Sequence, residues 1–420
     1  MPHDRFDRRT CPPLVVLADD LSGAAECAAV LPSCRRIALV PAAHRLPGET
    51  LVVDLDSRGR TSTEAAGLVA QAVRRHAADG TRLVKKSDSL LRGHFAAETA
   101  AFAAGAGGLV VATALPAGGR TVRDGVVRLH GVPLHHTDAW HAEPGPPPRS
   151  VAGALGMYAS VIPLTEIRAG VPHLLHRLSR GLADGAALVC DAETDADLDA
   201  VAEAILRLPE TVRTIGSGGI TAALGRLSGT AERRADPRRP NREPRPVVVV
   251  VGTAHPGARA QIAQLTLLGA RHIAFRPNSL LAHPAGSHPA AVTTTARDRA
   301  PVLVLSVAPT TVIDPSAAPR LARALARTVA GLLPEDADLV LTGGETARTL
   351  LDELGITALL PVGQVHHGAV LCRTTDGRGV VTRPGSFGGT DSLVRMVGAL
   401  REQPGHDVPQ TPHTSDGGPR

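Results

Sequence analysis

The sequence predicts an α/β protein built as two three-layer α/β domains with mainly parallel sheets. Three observations predict it. Short apolar runs alternate along the chain with stretches of helical length. Polar clusters follow directly on the ends of those runs, where parallel sheets collect ligands. An Arg- and Pro-rich segment at 229–246 has no apolar period and separates two such series of alternation.

In the first series, 14–18 is a short apolar run ending in Asp19-Asp20, followed by an Ala-rich helical stretch to about residue 31. The runs 37–40 and 51–55 are further strands, the second leading into Asp54, Asp56, Ser57 and Arg58. A helix is predicted over 63–78, then a strand at 82–84 that runs straight into Lys85-Lys86, with Glu98 in the helix beyond. The strand 108–113 leads into Leu115-Pro116-Ala117-Gly118-Gly119-Arg120, and the proline-rich 141–150 reads as a loop. Alternation resumes with a strand at 187–190, a helix at 196–206 and a strand at 211–215 running into Gly216-Ser217-Gly218-Gly219. The second series has strands at 247–251, 302–306, 337–342, 368–372 and 379–382, with helices at 258–268, 319–333, 346–354 and 391–401. The predicted divisions are 14–228, a linker at 229–246, 247–401, and a disordered tail at 402–420.

Composition excludes several classes. Aromatic residues make up 2% of the 420, so almost no stacking platforms exist for bases, and no nucleic-acid partner is expected. The five cysteines are scattered without a C-x-x-C pair, which argues against a disulfide framework or structural zinc and for a reducing compartment. The N-terminal 13 residues lack an apolar core, and the longest weakly apolar run, 100–115, is mostly Ala and Gly. No membrane partner and a cytoplasmic location are therefore expected. The 18 histidines show no metal-ligand spacing; His135-His136 and His366-His367 are read as surface pairs, and no protein metal site is predicted.

One compositional oddity points to a site. The chain carries 45 Lys plus Arg, and Lys stands only at 85 and 86. Lysine is a compact, rotatable point charge that reaches a phosphate or carboxylate without Arg's planar fork. With Asp88, Ser89 and Arg92 close behind, the pair marks a polar site. Around it stand Asp19, Asp20, Ser22, Arg58 and Arg120, a mixture of acids and cations that suits a small hydroxylated anion. One of Asp19 and Asp20 can equally serve as an N-terminal helix cap. In the second series, three glycine-rich turns leave strands, at 252–257, 343–346 and 385–389. Backbone N–H groups at such turns favour bound phosphate, so nucleotide binding is expected. Neither a Walker A loop nor a G-x-G-x-x-G fingerprint is present.

Taken in order, these segments resemble the four-carbon acid sugar kinases. The resembling stretches are Asp19–Gly23, Lys86–Gly93, Pro116–Arg120, Gly252–His255, Thr342–Thr346 and Arg383–Gly388, spread over about residues 14 to 400. The resemblance implies an N-terminal sugar-acid-binding domain, a C-terminal ATP-binding domain, and an active site in the cleft between them. It implies transfer of the γ-phosphoryl group of ATP, with Mg²⁺, to a terminal hydroxyl of a D-threonate- or D-erythronate-type acid. A 3-oxo-tetronate kinase or a non-catalytic sugar-acid-binding regulator is the alternative, and a homodimer is left open. Carried over residue by residue, catalytic roles fall on Asp20, Asp88 and Lys86. Substrate contacts fall on Asp19, Ser22, Arg58, Ser89, Arg92 and Arg120. ATP contacts fall on Thr253, His255, Gly343, Gly344, Glu345, Thr346 and Gly388. Lys85 is expected to face solvent. Departures from the pattern are Ser22 and Leu90 for Thr, His94 for Asn, His255 for Ser and Arg383 for Lys. Leu90 is expected to remove a hydroxyl near the acid.

Overall fold

The computed structural model describes residues 12–77, 80–140, 143, 145–228, 245–253, 256–282, 301–308, 317–385 and 387–401. Residues 229–244 of the expected 229–246 linker, the expected tail at 402–420 and His255 lie outside them.

The first half carries strands β1 (Leu14–Ala18), β2 (Cys34–Ala38), β3 (Thr50–Asp54), β4 (Arg82–Lys86), β5 (Gly108–Ala112), β6 (Arg120–Arg123), β7 (Val126–Leu129), β8 (Val132–Pro133), β9 (Ala159–Ile162), β10 (Ala187–Cys190) and β11 (Val212–Gly216). The second half carries β12 (Val247–Val251), β13 (Arg271–Phe275), β14 (Val302–Val307), β15 (Asp338–Thr342), β16 (Ala358–His366), β17 (Ala369–Arg373) and β18 (Gly379–Arg383). Strands β1 and β12 are buried at all five positions, which is why each reads as an unbroken apolar run rather than an alternation.

Fifteen strands join in the order β13-β14-β12-β15-β18-β17-β16-β2-β3-β1-β4-β11-β5-β10-β9. All pairings in this sheet are parallel except those of β16 with β17, β17 with β18, and β16 with β2. The last is the seam between the halves: Ala358 and Leu359 pair antiparallel with Ala38 and Ile37. The two expected sheets thus meet edge to edge, and each covers an open edge of the other. Helices Val171–Ala183, Asp195–Arg207, Gly218–Leu227 and Leu21–Val30 pack in one row, and Ser62–His76 packs with Phe95–Ala103 in another. Several features were not predicted: the small antiparallel sheet β6-β7-β8, the helices and strand between residues 151 and 183, and in the second half β13, the helix Pro277–Ala282 and the seam strand β16.

Both halves are wound outward from a central strand. From β1 the chain builds β2 and β3 on one side and β4 on the other, with Ala18 opposite Lys86. From β12 it builds β13 and β14 on one side and β15 on the other, with Val251 opposite Thr342. These reversals open a crevice beyond the strands' carboxyl ends, which is where such folds bind ligands.

Candidate active site

Arg58 is the centre of the first cluster. The loop after β3 is fastened to the end of β1, since the Ser57 and Arg58 amides donate to the Asp19 carbonyl at 3.0 and 3.2 Å. That brings the Arg58 guanidinium over both acids. Its Nε and Nη2 donate to Asp19 Oδ2 at 2.9 and 2.7 Å, and its Nη1 donates to Asp20 Oδ2 at 2.6 Å. Asp20 is also the N-cap of helix Leu21–Val30, its Oδ1 accepting from the Gly23 amide at 2.8 Å. One acid therefore caps, and the other is buried as an ion-pair partner. Burial alone would raise the Asp19 pKa, but Arg58, Lys85 and Lys86 outweigh it and hold the carboxyl below its ordinary value.

Asp88 is similarly gripped. Arg92 Nε and Nη2 donate to its two oxygens at 2.9 and 2.7 Å, and the Leu90 amide donates at 2.9 Å. Leu91 makes the turn possible with a φ of 62°, an uncommon conformation for leucine. Burial opposes ionisation of Asp88, yet Arg92 and Arg58 pull its pKa far below the usual carboxylate range. The Lys86 ammonium lies 3.7 Å from Glu26 Oε2. Burial lowers its pKa, but Glu26 and Asp19 more than offset this and keep it protonated. Arg120 Nη1 donates to Ser89 Oγ.

Lys85 does not face solvent. Its side chain is 1% exposed, and Nζ sits 3.2 Å from Glu98 Oε2 while donating to the Lys86 carbonyl at 3.0 Å. Glu98 in turn accepts from Ser57 Oγ. Both lysines are enclosed because β4 is central, and neighbouring helices cover both of its faces. Leu90 is packed in the hydrophobic core and does not line the pocket below, so its missing hydroxyl removes nothing from it. His366 is half-buried and hydrogen bonded to Ser392 Oγ at 2.8 Å, which corrects the surface reading for that residue, while His367 is exposed as expected.

A pocket of about 60 Å³ is lined by Asp20, Ser22, Arg58, Lys86, Asp88, Ser89, Arg92 and Arg120, so eight of the nine residues expected around the acid converge; Asp19 stands behind Arg58. Sequence reasoning missed Glu26, Gly218 and, from the second half, Gly368, Pro384 and Phe387. A second cavity of about 1430 Å³ is lined by Thr253, Gly343, Gly344, Glu345 and Thr346 of the expected nucleotide contacts. Gly388 does not line it; its carbonyl accepts from Gln261 Nε2 at 3.1 Å, and Gly385 lines the cavity instead. The backbones there approach closely. A Cβ on Gly252 would lie 2.0 Å from Thr346 Oγ1, and Gly343 has a φ of 89°. Arg383 is fully buried, held by Gln261 Oε1 at 2.8 Å, and burial lowers its pKa to about 10.

The two cavities adjoin. A Cβ on Gly344 would lie 3.1 Å from Ser22 Oγ and 3.5 Å from Asp20 Oδ2, so the second half's glycine turn abuts the first half's acid cluster. Ser22 Oγ and Asp19 Oδ1 are buried and make no hydrogen bond within the described residues.

Residues 14–224 match the family model of a sugar-binding N-terminal domain, and 248–393 that of a nucleotide-binding C-terminal domain. The chain is 34% identical over 408 residues to a D-threonate kinase of Cupriavidus necator, covering 92% of this chain and 98% of that one. It is 33% identical to a D-threonate kinase of Bordetella bronchiseptica, over 84% and 87% of the two chains. A Haemophilus influenzae crystal structure shares the fold at a TM-score of 0.69 and 18% identity, covering 92% of this chain and 100% of that one. The chain belongs to the four-carbon acid sugar kinase family, enzymes that phosphorylate sugar acids.

Proposed function

We propose that this protein transfers the γ-phosphoryl group of ATP to a terminal hydroxyl of a four-carbon acid of the D-threonate or D-erythronate type. The observation that carries the reading is the abutment of the Gly343-Gly344 turn on Ser22 and Asp20, with the Lys86-Arg92-Arg120 cations on the same side. Residues 14–228 would hold the acid, and 247–401 the nucleotide. Phosphoryl transfer needs positioning and charge neutralisation more than covalent chemistry.

In this reading Lys86, Arg92 and Arg120 hold the carboxylate of the acid and the charge that develops on the transferring group. Asp88 is too strongly paired with Arg92 to accept a proton, and its role is to fix that guanidinium. Asp20 is the acid nearest the glycine turn, with a side chain 20% exposed, and it orients the attacking hydroxyl. The unpartnered Ser22 hydroxyl supplies a further contact. Backbone amides of the close-packed Gly252 and Gly343–Thr346 turns suit the phosphates. No group of three or more acids, histidines or cysteines among the described residues is placed to cage a metal. Mg²⁺ needs only one or two carboxylates when phosphates complete its shell, and Asp20 and Glu345 line one crevice beside the turn.

The test is ADP release over D- and L-threonate, D- and L-erythronate and the 3-oxo-tetronates. Turnover on a tetronate is expected. Preference for a 3-oxo acid would shift the substrate, and binding without turnover across the panel would sink the kinase reading in favour of a regulator.

A further inference from the structure

The loop after β18 touches both cavities. Gly385 lines the larger one, and two residues on, the Phe387 ring lines the small pocket that holds Lys86 and Arg92. Three contacts fix that ring. The Arg120 guanidinium lies 5.6 Å from its centroid, the His367 ring lies 5.5 Å away, and Gly368 presents bare backbone to it. Gly368 has a φ of 78°, and a Cβ there would lie 2.8 Å from Phe387 Cδ1, so the ring rests where no other residue would let it. The remaining walls of the pocket are polar or charged except Leu115, Pro384 and the glycines. Phe387 is thus a large apolar surface opposite a cluster of acids and cations, and it comes from the half of the chain that does not supply them.

We propose that Phe387 is a specificity-determining residue: its ring closes the acid pocket and limits the bound aldonate to a short carbon chain. This rests on the sugar-acid kinase reading and names the feature that sets its chain length. A longer aldonate would have to displace the ring from Gly368 and from Arg120. The same Arg120 donates to Ser89 beside the acid, so the ring also steadies a substrate cation.

The experiment compares kcat/KM for four-, five- and six-carbon aldonates in the wild type, Phe387→Ala, Phe387→Leu and Phe387→Tyr. Phe387→Ala is expected to lose about 10-fold or more on the four-carbon acid through KM, and to narrow its preference over the five-carbon acid by about 10-fold, the scale of a pocket altered by a methylene or more. Phe387→Tyr should keep the wild-type length preference, and Phe387→Leu should fall between. A KM for ATP within about 2-fold of wild type is expected, since that surface loses no contact. An unchanged chain-length ratio in both the Ala and the Leu variants would overturn the proposal, as would an effect confined to ATP. If the wild type phosphorylates no sugar acid, the kinase reading falls separately. Calorimetric titration with the same aldonates then decides Phe387: a length preference that Phe387→Ala leaves unchanged, or no aldonate binding at all, overturns the proposal.

Discussion

At the scale of single residues, the two lysines do different work. Lys86 lines the small pocket with Asp20, Asp88 and Arg92, and its Nζ is 2.9 Å from where a Gly23 Cβ would stand. Replacing it with Ala should lower kcat on the order of 10²–10³, the effect of losing one preorganised donor. Lys86→Arg should not restore it, because the longer planar fork has no room beside Gly23 and Glu26. Steady-state kinetics of both variants check this, and near-normal activity of the Arg variant would remove the case for a compact point charge. Lys85 lies outside the pocket and holds the loop that presents Arg58, through Glu98 and Ser57. Lys85→Met leaves Glu98 buried without its cation and should cost about 3–5 kcal/mol by urea denaturation, the penalty of breaking a buried pair. Adding Glu98→Gln should recover part of that loss.

The elements that matter most are the turns that leave the central strands. Gly252 and Gly343 end β12 and β15, which are paired neighbours, so their loops face each other. Gly252→Ala would drive a methyl into Thr346 and deform the loop. A rise in KM for ATP of about 10-fold, worth about 1.4 kcal/mol, is expected, with the KM for the acid nearly unchanged. An equal rise in both constants would place the damage in the fold instead of the nucleotide turn.

Across the whole molecule, the halves are joined by the β2–β16 seam and by a buried ion pair. Arg348, on helix Gly344–Glu353, donates to Asp54 Oδ2 at 2.9 Å and to the Leu39 carbonyl at 2.6 Å. Asp54 ends β3 and is wholly buried. Burial pushes its pKa up to about 7 against the pull of Arg348, with Asp56 adding to the rise. An acid whose folded pKa is raised holds more protons folded than unfolded between the two values, so its contribution falls as pH rises from about 4 to 7. Thermal denaturation from pH 5 to 8 should therefore show a downward slope that Asp54→Asn flattens, and an unaltered slope would exclude Asp54 as its source. Arg348→Ala removes the cation that favours the ionised carboxyl, so it should raise the Asp54 pKa further and move the downward slope to higher pH.

The sequence alone determined the alternation of strands and helices, the polar ends of β1, β3, β4, β12 and β15, and the order of motifs that names the family. These are local properties: an apolar run reads as a buried strand, and Asp19-Asp20 after it reads as a cap or a ligand. The residues of the candidate site in the first half that converge on one pocket were legible for the same reason, since they lie at or just beyond strand ends. Tertiary structure alone decided the burial of Lys85, the core placement of Leu90, the seam between β2 and β16, and the arrival of Phe387 in the pocket lined by Lys86 and Arg92. None of these has a local signature. Whether a lysine is buried depends on which strands and helices flank its own, and Phe387 stands 301 positions from Lys86 in the chain, brought close by the pairing of the halves.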